Sequence, residues 1–123
     1  ICGAGRILGY VNAPSLFQKV VAKCVGQTSD ISIYEKNKNL LYNGLIEMGY
    51  KCVEPQGAFY LFPQSLEPDA DLFCERAKKY DLLMVPGDDF GCAGHVRISY
   101  CVETQQILNA LPVFKKLAEE YKK

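Results

Sequence analysis

The chain has 123 residues, 49% of them hydrophobic, and 14 Lys and Arg balance 14 Asp and Glu. That length supplies one modest core and argues against two independent domains. The charge balance and an isoelectric point near 6.8 offer no basic stripe or acidic tail, which excludes nucleic acid and lipid surfaces as expected partners. No apolar run approaches the ~20 residues that span a bilayer, and the N-terminal stretch lacks the layout of a secretion signal, so a soluble chain without a membrane partner is expected.

The opening stretch ICGAGRILGYV has neither Met nor cap nor turn signal at its start, and reads as the middle of something longer. Gly3 and Gly5 precede Arg6, and such glycines can bring backbone N–H groups near a phosphate, but the spacing is neither a P-loop nor a GxGxxG fingerprint. A plain turn is the safer expectation there. GYVNAP is predicted as a short strand that Pro14 ends. A helix follows: Ser15 and Gln18 resemble a capping box, and Leu16, Phe17, Val20, Val21, Cys24 and Val25 make a broad apolar face before Gly26.

GQTSDIS is a polar linker with Ser29 or Asp30 available as the next cap, and a second helix is expected from Ser32 to Met48. Tyr34, Leu41, Leu45 and Met48 share one face of a 3.6-residue period, and Gly49 ends it. KCVEP and AFYLF are predicted strands joined by Pro55-Gln56-Gly57 as an antiparallel pair. Because AFYLF is apolar throughout, both of its faces are expected to be covered.

Pro68 and Asp69 open a third helix with Leu72, Phe73, Ala77 and Tyr80 inward; LLMV is then a fully apolar strand stopped by Pro86-Gly87. HVRISYCV is the last strand. A final helix starts near Thr104 with Ile107, Leu108, Leu111, Phe114, Leu117 and Tyr121 on one side, and Pro112 is expected to kink it or restart it near Leu108. The order predicts an α/β (α+β-like) layer structure: a small mixed or antiparallel sheet covered by helices.

Six cysteines are scattered singly without a CxxC pair and read as reduced core residues of a cytoplasmic protein. Cys92, His95 and Cys101 raise a zinc question, but a fourth ligand is missing and Cys101 falls mid-strand, so no metal site is expected.

Alternation in HVRISYCV puts Val96, Ile98, Tyr100 and Val102 on one face and Arg97, Ser99 and Cys101 on the other. Arg97 therefore belongs either to an edge or outer strand whose second face meets water or to an anion site, since a rigid guanidinium fork suits a carboxylate. The VPGDDFG loop before it is an ordinary connection or the mouth of a site. Asp88 and Asp89 read as solvated turn residues, and His95 as a polar strand-end residue rather than a general base.

Taken together, ICGAGRILGYV, YEKNKNLL, PQGAFYLF, DLLMVPGDDFG and HVRISY resemble the C-terminal part of class I/II, fold-type I pyridoxal-phosphate-dependent aminotransferases, across essentially the whole chain. The resemblance implies that residues 1–123 are a single small domain without the large cofactor-binding domain. It implies that Arg97 holds the substrate α-carboxylate and that Arg6 lies near the cofactor phosphate. Two residues, Ile7 and Leu8, separate Arg6 from Gly9-Tyr10 where the family usually has one. It places the Schiff-base lysine upstream of Ile1, since Lys19, Lys23 and the later lysines do not match that motif; these residues alone are then inactive and hold no pyridoxal phosphate. Implied partners are an amino acid, a 2-oxo acid, the upstream large domain and a second subunit of a homodimer. A free-standing binding module of the same fold, or a pyridoxal-phosphate-dependent lyase, is the alternative. In the aminotransferase reading a large apolar surface is expected where the partner domain packs.

Overall fold

The computed structural model describes residues 2–9 and 11–122 and divides into two compact units, Ile1–Asp30 and Ile31–Lys123.

The first unit contains helices α1 (Cys2–Ile7) and α2 (Ser15–Cys24). The plain turn expected around Arg6 is instead the last turn of α1. The GYVNAP strand is not formed in its described residues, Tyr10 lying outside them. The physical reason is that the described elements of this unit are both helical and offer the segment no strand whose ladder it could join. Helix α2 begins at the predicted Ser15, but Pro14 occupies the cap position, and the capping box gives way to Gln18 Nε2 donating to Ala13 O at 2.6 Å. Its apolar stripe, Leu16, Phe17, Val20 and Val21, is exposed, as is Val25 beyond it.

The second unit holds the core. Helix α3 (Ser32–Glu47) has Ile31, not Ser29 or Asp30, at its N-cap, and buries Leu41 and Leu45 as the periodicity predicts. It closes with two backbone bonds, Gly49 N to Ile46 O at 2.9 Å and Tyr50 N to Leu45 O at 3.0 Å. This paired closure needs a left-handed residue at position 49, where φ is +94° and a glycine stands.

Strands β1 (Tyr60–Leu61), β2 (Val85–Pro86) and β3 (Val96–Ser99) form a three-stranded antiparallel sheet in the order β1-β3-β2. KCVEP is not a strand, and AFYLF pairs with β3 instead, Tyr60 opposite Ser99 and Leu61 opposite Ile98. Ala58 takes a left-handed φ of +64°, which turns the chain out of the predicted hairpin before β1 starts. The expectation that both faces of AFYLF are covered also fails, because Leu61 is buried while Phe59 and Tyr60 are partly open. LLMV alternates rather than being buried throughout: Leu82 and Met84 point inward and Leu83 is 81% exposed. Pairing includes Pro86 instead of stopping at it, which an edge strand tolerates because its outer N–H side needs no partner.

Helix α4 (Ala70–Lys78) is capped by Asp69, whose Oδ1 accepts from Leu72 N at 3.0 Å. Phe73 and Ala77 are buried as expected, but Leu72 is exposed and Ala70 and Cys74 take inward positions. Helix α5 (Thr104–Glu120) runs through Pro112 without restarting. Leu108, whose carbonyl loses a partner to the proline, is exposed rather than inward, while Ile107, Phe114 and Leu117 are buried.

All six cysteines are unpaired, yet only Cys74 is a core residue; Cys2, Cys24 and Cys101 are exposed. Cys101 lies beyond the end of β3, not within the strand. No helix among the described residues is long and apolar enough to cross a membrane.

Candidate carboxylate site

Arg97 sits on the central strand, so the edge-strand expectation is wrong, but its direction is as alternation predicts: Val96, Ile98 and Tyr100 are buried and Arg97 is on the other face. Val102, predicted inward, is exposed because the strand ends at Ser99. The register continues from Leu61 opposite Ile98 to the bridge of Gln64 with His95, which puts Phe62, just beyond β1, across from Arg97 while Val85 faces it on β2.

On the outer face of the sheet, aromatic rings surround Arg97. The Arg97 guanidinium carbon lies over the Tyr60 ring at 4.5 Å and over the Phe90 ring at 4.1 Å. Phe90 in turn meets Phe62 edge-on, with centroids 6.1 Å apart. Among the described residues the ion pairs join Lys38 to Glu54, Arg76 to Glu67 and Lys78 to Glu75, and none involves Arg97. This accounts for the run of apolar residues in AFYLF: Leu61 faces the core, and Tyr60 and Phe62 face the arginine.

Phe90 reaches Arg97 because the loop after β2 folds back tightly. Gly87 N donates to His95 O at 2.8 Å, Cys92 N donates to Gly87 O at 2.9 Å, and residues Asp88–Phe90 form a 3-10 turn. A Cβ at Gly87 would stand 2.3 Å from Cys92 O, closer than any side chain permits. Asp88 and Asp89 are exposed, as expected of solvated turn residues. His95 has its Nδ1 3.0 Å from Ala93 O and bridges Gln64, the strand-end role expected of it.

A buried asparagine, which sequence reasoning passed over, holds the chain that leaves β3. Asn37 is fully buried; its Nδ2 donates to Tyr100 O (3.2 Å) and Val102 O (2.7 Å), and its Oδ1 accepts from Thr104 Oγ1 at 2.7 Å. Its spacing between Tyr34 and Leu41 on the inward face of α3 was the available signal. On the other side, Tyr100 Oη donates to Ala58 O at 2.6 Å and Tyr100 N to Phe59 O at 3.0 Å, tying the end of β3 to the strained start of β1. An open cleft of about 410 Å³ lined by Tyr34, Lys38, Gln56, Phe59 and Tyr100 lies beside this tie, and Arg97 does not line it.

Arg6 belongs to the first unit, on the last turn of α1, and is exposed. A guanidinium fits a phosphate as donor. The neighbouring glycines do not form a cradle: Gly3 is helical, and a Cβ there would meet nothing within 4 Å. Arg6 is thus an exposed helical cation, and Arg97 a strand-borne cation held between two rings.

Residues 9–114 match the family model described as aminotransferase class I and II, so the chain belongs to that family of fold-type I, pyridoxal-phosphate-dependent enzymes. Arg97 lies within that span and Arg6 before it. The chain is 36% identical over 86 residues to the aspartate/prephenate aminotransferase of Thermus thermophilus, covering 68% of this chain and 22% of that protein. It is 37% identical over 97 residues to aromatic-amino-acid aminotransferase 2 of Thermococcus litoralis, covering 72% and 24%. The crystal structure of an amino transferase from Eubacterium rectale superposes with a TM-score of 0.93 at 55% identity, covering 99% of this chain and 31% of that one. The chain spans about a quarter of the length of the curated relatives it matches.

Proposed function

We propose that residues 1–123 are the C-terminal small domain of a pyridoxal-phosphate-dependent aminotransferase, and that Arg97 holds the α-carboxylate of the amino acid or 2-oxo acid it acts on. The observation that carries this reading is a strand-borne guanidinium set among aromatic rings, with no carboxylate of the described residues paired to it. Two parallel N–H donations to a carboxylate fix both the position and the plane of a substrate. This orientation lowers the barrier by making productive geometry part of binding.

In this reading the cofactor supplies the electron sink for chemistry at the substrate α-carbon. Arg6 donates to its phosphate, and the Schiff-base lysine and the cofactor's ring partners come from the upstream large domain of a longer protein, which acts as a homodimer. The exposed stripe Leu16, Phe17, Val20 and Val21 supports this, since an apolar surface of that extent is expected where a partner domain packs.

The test is Arg97→Ala in the full-length protein, which is expected to lower kcat/KM for amino acids by ~2–4 kcal/mol of lost charged hydrogen bonding, with Arg97→Lys in between. Kinetics within twofold of the parent would remove Arg97 from the site. Residues 1–123 alone, treated with pyridoxal phosphate and borohydride, are expected to give no single trapped lysine. A stoichiometric adduct at one of them would place the cofactor lysine within this chain.

A further inference from the structure

An arginine that is to receive a ligand must be ordered without using up the donors the ligand needs. A protein ion pair or hydrogen bond would order Arg97 by occupying its N–H groups, and among the described residues none does. The Tyr60 and Phe90 rings hold the guanidinium through its charge instead, at 4.5 Å and 4.1 Å. Contacts of this kind spend no N–H donor. Both rings are also partly open to solvent, so the cation they hold can be approached.

We infer that Tyr60 and Phe90 are positioning residues that fix the Arg97 guanidinium for a carboxylate while leaving its N–H groups unspent, with Phe62 meeting the Phe90 ring edge-on. This rests on the reading of Arg97 as the carboxylate holder. The two rings come from different elements: Tyr60 rides on β1, locked to β3 by the sheet register, whereas Phe90 rides on the 3-10 turn that Gly87 folds back. Phe90 is therefore the adjustable member of the pair and Tyr60 the fixed one. Without them a long side chain must be ordered by the ligand itself, and that entropy is subtracted from affinity.

The experiment uses the full-length holoenzyme and its Phe90→Leu, Tyr60→Leu, Phe90→Tyr and Arg97→Ala variants, with succinate as a non-reacting carboxylate competitor. Each Leu variant is expected to raise the amino-acid KM and the succinate Ki by about threefold to thirtyfold, the range of one cation–π contact, with kcat within threefold of the parent. Phe90→Tyr, which keeps the ring, is expected to stay within twofold. Leu variants whose Ki stays within twofold, while Arg97→Ala raises it, overturn the inference and leave the Arg97 reading standing. An unchanged Ki in Arg97→Ala overturns that reading itself. In unsubstituted protein labelled with 15N-arginine, the Arg97 Nε–Hε resonance is expected to be ring-current shifted and sharp before any ligand is added. A resonance at the position of a free arginine would overturn the inference without recourse to a variant.

Discussion

Asn37 Nδ2 donates to Val102 O at 2.7 Å, across 65 residues of sequence, from a side chain with no exposed surface. The same side chain reaches Tyr100 O and accepts from Thr104 Oγ1, so one amide ties α3 to the segment between the end of β3 and the start of α5.

Replacing Asn37 by Ala removes these bonds and leaves the Tyr100 carbonyl and the Thr104 hydroxyl without that partner. Each buried group left unmade costs about 1–3 kcal/mol, so Asn37→Ala is expected to destabilise by ~2–4 kcal/mol in urea unfolding. Asn37→Leu, similar in volume, is expected to be no better. A loss below 0.5 kcal/mol would mean that water takes over the bonds.

The backbone oxygens of Cys92 and His95 close in on Gly87 to 2.3 and 2.8 Å from where a Cβ would stand. Gly87→Ala must open the turn that carries Phe90. It is expected to lose ~1–3 kcal/mol of stability, the usual cost of overpacking, and to weaken carboxylate binding in parallel with Phe90→Leu. The check is unfolding together with succinate inhibition. Stability lost with inhibition unchanged would show that the loop and the ring are independent.

Pro112 lies inside α5 on its exposed side and denies an N–H to Leu108 O. Pro112→Ala restores that donor while removing little packing, and is expected to stabilise by about 1 kcal/mol or more. Thermal unfolding decides the sign, and a lowered Tm would show that the ring is packed against something it shields.

Burial raises the Cys74 thiol from 9.0 to about 11, and burial likewise pushes the Tyr50 and Tyr121 phenols upward. The neutral forms are the ones folded with, so the unfolded chain loses these protons at lower pH than the folded one. Stability from Cys74 is complete below about pH 9 and is lost as pH rises through about 11. Unfolding midpoints are expected to fall across that window, less steeply in Cys74→Ala. At pH 8 a disulfide reagent is expected to modify Cys2, Cys24 and Cys101 readily and Cys74 only on unfolding.

Much of this was written in local pattern. The 3.6-residue spacing marks α2, α3, α4 and α5, and the alternation of Val96, Arg97, Ile98 and Ser99 already turns the arginine away from the core. The motifs around PQGAFYLF, VPGDDFG and HVRISY led to the family. Where local pattern is weak, the structure departs from it. Cys2–Ile7 is glycine-rich and has no apolar period, so its helix left no trace. The KCVEP and AFYLF pairing was the nearest one in sequence, and Tyr60 in fact pairs with Ser99.

By itself, then, the sequence determined where α2 to α5 run and which side of β3 carries the charge, because period and alternation depend only on near neighbours. Only the tertiary structure decided that β3 is central, that Asn37 reaches the chain beyond it, and that Tyr60 and Phe90 close on Arg97. Those contacts join residues far apart in the chain, which periodicity among near neighbours does not encode.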